Sequence, residues 1–239
     1  MLKKLLIFLA IVVVGLYLSP FNYLLPGYHT LFFTFSDYSA LKSRTFAQRS
    51  AILSKTGKKE SPFEQKVLSE SADTLIRAFD DYFRFWYGTK YDFNGTSQIP
   101  GKGKIACGYF VSGVLSDIGF EVNKRKMGMM ASEGLIRKMV HKKNIHRFYK
   151  IKMEKFLTKV EKFPDGIFLV GLDTHIGFMR KRNGEITFIH ASMMGQSCVV
   201  SENAAQSRTL ARSKVKIVGL LTADKLKALP YWLEKKKFE

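Results

Sequence analysis

Between Leu68 and Trp86, apolar side chains recur every three or four residues: Leu68, Ala72, Leu75, Ile76, Phe79, Phe83 and Trp86. That spacing lines them up on one side of a helix and predicts that this side is buried. The helix start is read at Ser61-Pro62-Phe63-Glu64, where Ser61 can cap, Pro62 suits the first turn and Glu64 holds the capping-box position. A second apolar face, Phe110, Val111, Val114, Leu115 and Ile118, predicts a helix from Cys107 to Ile118 that stops at Gly119. The stretch between them, Tyr87 to Lys104, carries four glycines and a proline and reads as a loop. Residues 131–163 read as two basic helices. From Gly166 onward the period changes to two, and residues 166–172, 175–182, 185–191, 197–201 and 214–222 predict strands. Helices followed by antiparallel strands mean an α+β domain.

The first residues follow a different pattern. Met1-Leu2-Lys3-Lys4 is a short positive start, and the uncharged run from Leu5 to Leu18 follows it. This reads as the opening of a secretory signal. No good cleavage site follows, and with Pro20 and Asn22 near the interface the apolar stretch reaches Leu25, about the length of a membrane span. Residues 1–25 are therefore a signal peptide or a membrane anchor, and either would export the remainder. Residues 26–60 read as a linker or N-terminal extension that ends in a lysine-rich polar break, and residues 61–239 as the folded domain.

Composition narrows the class. The chain has 239 residues with a formal net charge of +19, and 46% of its residues are apolar, which excludes a disordered basic tail. Two cysteines cannot make a disulfide scaffold or a four-thiolate zinc site. Residues 123–162, read as a basic helical insertion, hold 13 Lys/Arg against three Glu. Such clustering can seat an anionic polymer, which for an exported protein means an envelope polymer. No recognisable nucleic-acid-binding motif accompanies it, so nucleic acid is not expected as a partner. No metal-type spacing joins His141, His146 or Cys198 to other ligands, so neither metal nor cofactor is expected.

The candidate chemistry lies on Cys107 and two histidines. A thiol opening a helix feels the positive end of the helix dipole and the unpaired N–H groups there, which favour thiolate and can hold an oxyanion. Asn183-Gly184 predicts a two-residue hairpin turn that pairs Arg182 with Glu185. That register makes His175 and His190 diagonal neighbours on one face, close enough for their side chains to meet. One imidazole can then act as base while the other fixes its orientation. Cys198 is read as a core residue, with a Cys107–Cys198 disulfide as the alternative. Asp173 is read as a turn residue, and His29 has no evident partner.

Three blocks of the chain together resemble the NlpC family of papain-like cysteine peptidases, which cut bacterial cell-wall peptides. They are Gly88-Thr89-Lys90-Tyr91-Asp92-Phe93-Asn94-Gly95-Thr96, Ala106-Cys107-Gly108-Tyr109-Phe110-Val111, and the pair His175-Ile176-Gly177-Phe178-Met179 with Phe188-Ile189-His190-Ala191-Ser192. The resemblance covers roughly residues 84–222. It implies a papain-like fold with Cys107 as nucleophile, His175 as general base, His190 as the orienting third residue, and Tyr91 lining the site. It also implies peptidoglycan peptides as substrate. Ala106 and Gly108 depart from the Asp and Ser usual beside the nucleophile. Amidase or acyltransferase action on another envelope substrate is the alternative within enzymes. An inactive binder of cell-wall polyanions is the alternative outside them.

Overall fold

The computed structural model describes residues 35–55, 65–195 and 197–238. Its helices are α1 (Phe35–Ser54), α2 (Gln65–Trp86), α3 (Cys107–Asp117), α4 (Lys124–Gly128), α5 (Ser132–Met139), α6 (Met153–Glu161), α7 (Arg208–Arg212) and α8 (Ala228–Glu234). Its strands are β1 (Lys90–Tyr91), β2 (Lys104–Ile105), β3 (Ile145–Tyr149), β4 (Gly166–Leu172), β5 (Ile176–Arg182), β6 (Glu185–Ala191), β7 (Val199–Asn203) and β8 (Val215–Gly219). β3 to β8 form one six-stranded antiparallel sheet in the order β3-β8-β4-β5-β6-β7, and β1 with β2 forms a short parallel pair. The fold is α+β.

Every residue of β4 is buried, because helices cover both faces of the sheet. Ile167 and Leu169 point into the larger core, which is filled by Leu75, Phe79 and Phe83 of α2 and by Phe110, Val111 and Val114 of α3. Phe168 and Val170 point the other way, against Phe156 and Val160 of α6. The period of two in the sequence thus sorts one strand between two cores.

Two expectations are corrected. Of the linker or N-terminal extension expected over residues 26–60, the linker is corrected: the segment contains the 20-residue helix α1, which packs on the domain. Its inward positions are Tyr38, Leu41, Thr45, Arg49 and Ile52, spaced for a helix. Two of those five are polar, so an apolar stripe could not reveal them. The Tyr38 hydroxyl donates to Asp117 at 2.8 Å, and Lys42 and Lys124 reach the same carboxylate at 2.9 and 2.7 Å. Arg49 donates to the carbonyl of Gly119 at 2.7 Å.

Residues 123–162 are not a helical insertion either. They include β3, which pairs along its whole length with β8. This strand is short, carries His146 and Arg147, and buries only Ile145, so it lacks the alternation of a half-buried strand. Because α5 packs with the larger core and α6 with the smaller one, the exposed cations of the segment do not share one helical face.

The helix start at Ser61–Glu64, the segment 1–25 and His29 lie outside the described residues. Among the described residues, no helix is long and apolar enough to cross a membrane.

Candidate active site

The hairpin forms in the register that its turn predicts. Asn183 and Gly184 adopt positive φ angles of 51° and 80°, as a tight two-residue turn requires, and Arg182 pairs with Glu185. The same register sets His190 beside Gly177, where an added Cβ would lie 2.8 Å from the His190 Cβ. Glycine at 177 is what lets the imidazole in. His175 Nε2 and His190 Nδ1 then stand 2.8 Å apart, with the rings nearly perpendicular at 87°. Phe188 stacks on His190 with centroids 4.4 Å apart, which holds the buried ring in place.

Cys107 is the first residue of α3. The first intrahelical hydrogen bond runs from Phe110 N–H to the Ala106 carbonyl, and Ala106 offers no side-chain cap. The N–H groups of the first turn are therefore left for whatever sits at the helix end. Burial pushes the Cys107 thiol up. The N–H groups of Ile176, Gly108 and Cys107 itself act in the opposite direction, as donors to the sulfur. Since Ile176 follows His175, this also sets the sulfur against the start of β5.

Cys107 and His175 line one cavity of about 800 Å³, together with Phe93, Met129, Leu172, Ile176 and Ile217. No hydrogen bond joins Cys107 Sγ to His175 among the described residues. His175 Nε2 is engaged by His190, which leaves Nδ1 as the nitrogen available to the cavity. Burial first, and the neighbouring His190 second, lower the His175 pKa to about 3, so the ring is neutral near pH 7. The resting pair is thus thiol and neutral imidazole. A second cavity of about 370 Å³ opens on His175 and His190 from the side of Met193, Met194 and Arg212.

Tyr91 stands on β1 close enough to Cys107 for the sulfur's charge to act on it. Burial and then that charge raise its phenol, so it is a hydrogen-bond donor at neutral pH. It is not among the residues that line the cavity.

One of the two unusual neighbours of Cys107, Gly108, has a structural reason. A Cβ on Gly108 would lie 2.1 Å from the carbonyl oxygen of Gly128, at the end of α4. The helix laid over the start of α3 takes the place of a side chain at 108, so serine cannot stand there.

Glu202 on β7 was not singled out from the sequence. Its Oε1 lies 3.2 Å from His190 Nε2. The β6–β7 register places it, with His190 opposite Val200 and Glu202 two residues further along the same face. A seven-residue connection between those strands hid that register, because no tight turn fixes it.

The remaining candidates have structural roles. His141 Nδ1 accepts from Lys143 N–H, and His146 packs on Phe163 at 4.5 Å. Asp173 sits in the bend between β4 and β5 and accepts from the N–H groups of Lys214 and Val215 at the start of β8. Cys198 is buried in the core, and both cysteines are free thiols. Among the described residues, no group of three His, Cys, Asp or Glu side chains could hold a metal ion.

Comparison of the chain with family models, with curated proteins and with solved structures gives no match. The reading of the site rests on its own geometry and on the motif resemblance.

Proposed function

We propose that the chain is a cysteine hydrolase of papain-like, NlpC type that cleaves an amide bond in peptidoglycan peptides outside the cell. The observation that carries the reading is one cavity wall holding both a helix-opening thiol, Cys107, and an imidazole, His175, whose far nitrogen is bonded to a second imidazole. In this reading His175 Nδ1 takes the thiol proton as Sγ bonds to the scissile carbonyl carbon. The N–H groups at the start of α3 receive the oxyanion. The same proton passes to the leaving amine as the C–N bond breaks. Water then gives a proton to His175 as its oxygen bonds to the thioester carbon, the C–S bond breaks to free the acid, and His175 returns the proton to Sγ. Peptidoglycan as substrate and the place of action rest on the motif blocks and on the export-type N-terminus. The exposed cations of residues 123–162 fit contact with an anionic envelope polymer, and the N-terminal segment fits a membrane tether. Mass spectrometry of muropeptides incubated with the full chain tests the proposal, with new cleavage products expected from the wild type and none from Cys107→Ala.

One observation favours a second reading, amidase or acyltransferase action on another envelope substrate with an apolar acyl group. The cavity wall is largely apolar, and Phe93 and Met129 are exposed beside Cys107. Its two carboxylates are already engaged, Glu133 by Arg147 at 2.7 Å and Asp173 by backbone N–H groups. No unengaged acidic group there would greet a peptide ammonium. Faster turnover of long-chain N-acyl amides than of muropeptides would select this reading.

A further inference from the structure

We propose that Glu202 is a positioning residue that fixes the tautomers of both histidines and so presents a bare nitrogen of His175 to Cys107. The inference rests on the cysteine-hydrolase reading of the same site. Its warrant is two hydrogen bonds in series, His175 Nε2 to His190 Nδ1 at 2.8 Å and His190 Nε2 to Glu202 Oε1 at 3.2 Å.

Proton counting does the work. A carboxylate only accepts hydrogen bonds, so His190 must carry its proton on Nε2. Neutral His190 then has a lone pair on Nδ1 and must receive the proton of His175 Nε2. His175 is left with an unprotonated Nδ1, the nitrogen available to the cavity shared with Cys107. Without Glu202, His190 is free to carry its proton on Nδ1 instead. His175 Nε2 would then accept, its own proton would move to Nδ1, and an N–H group would meet the thiol where a base is needed.

The environment of Glu202 agrees with this role. Burial pushes its carboxyl up, but hydrogen bonds from His190 and Ser207 outweigh burial and leave its pKa lowered, so it is a carboxylate at neutral pH. His190 is fully buried and stacked on Phe188, so it cannot swing to another partner. When His175 takes the thiol proton, the carboxylate also favours the imidazolium through His190.

The test uses the full chain with ¹⁵N-labelled histidine and needs no substrate. Nitrogen chemical shifts of the wild type at pH 7 should show both His175 and His190 protonated on Nε2. Glu202→Ala should shift His190 toward the Nδ1-protonated form and slow Cys107 alkylation by iodoacetamide on the order of 10- to 100-fold. A purely structural Glu202 would leave tautomers and alkylation rate unchanged. Finding wild-type His190 protonated on Nδ1 overturns the proposal even if the variant fails to fold, since that measurement needs no variant. The underlying reading fails separately: His175→Ala would then leave Cys107 alkylation unchanged.

Discussion

The carbonyl oxygen of Gly128 occupies the space in which a side chain on Gly108 would begin, 2.1 Å from an added Cβ. The residue after Cys107 is therefore held to glycine by the packing of α4 on α3. Placing at this position the serine of the motif that the chain resembles should disturb the packing. Gly108→Ser should push α4 away from the cavity rim and destabilise the fold by about 1–3 kcal/mol through overpacking. A denaturant melt checks the stability, and a midpoint equal to that of the wild type would contradict the packing account.

Gly177→Ala should act differently. The new methyl would lie 2.8 Å from both the His190 Cβ and the Ile189 carbonyl oxygen and 2.9 Å from the Phe188 ring, so it displaces β6 where it carries His190 rather than a helix. The expected result is a folded protein whose Cys107 alkylation is slowed about tenfold or more, as for loss of an oriented base. Unchanged reactivity would mean that the orientation of His190 does not matter.

The N-terminal helix should prove part of the domain. A chain starting at residue 61 lacks Tyr38 and Lys42, and so removes two of the three side chains that reach Asp117. Removing partners from a buried charge costs roughly 3–5 kcal/mol. Such a truncation should be unfolded or poorly soluble, whereas removal of residues 1–30 should leave a cooperative thermal transition. A well-folded chain from residue 61 would restore the linker reading.

Some of this was legible in the sequence, and the divide follows physical lines. The His175–His190 meeting could be read because Asn183-Gly184 admits few turn geometries, and one register then fixes every pair along the hairpin. β5 and β6 were read for the same reason, a strong turn between them, and β4 as a short apolar run. What stayed hidden depended on longer connections or on polar burial. Glu202 lies on a strand reached by a seven-residue loop that sets no register. α1 buries Thr45 and Arg49 in its inward stripe. β3 reads as charged, because pairing with β8 rather than burial holds it. From sequence Gly108 was only a departure from the resembled motif, and the position of Gly128 explains it.

Acid should destabilise the protein through His175. Its pKa is lowered to about 3 in the fold, by burial and then by His190, against about 6.5 in an unfolded chain. Below pH 6.5 the unfolded state binds the proton and the native state does not, so stability falls with pH until the folded value is reached. Between pH 7 and pH 5 the expected loss is about 1–2 kcal/mol from this group. Chemical denaturation at both pH values measures it. His175→Asn should flatten the difference, and an equal loss in that variant would assign the effect elsewhere.

The central claim is that Cys107 carries the acyl group of the substrate during turnover. Intact-mass analysis of the full chain, acid-quenched during reaction with muropeptides or with a long-chain N-acyl amide, reads this directly. The predicted result is an added mass equal to the acyl portion, mapped to the peptide that contains Cys107, released by hydroxylamine and absent from Cys107→Ala. Product formation by Cys107→Ala at the wild-type rate would contradict the account.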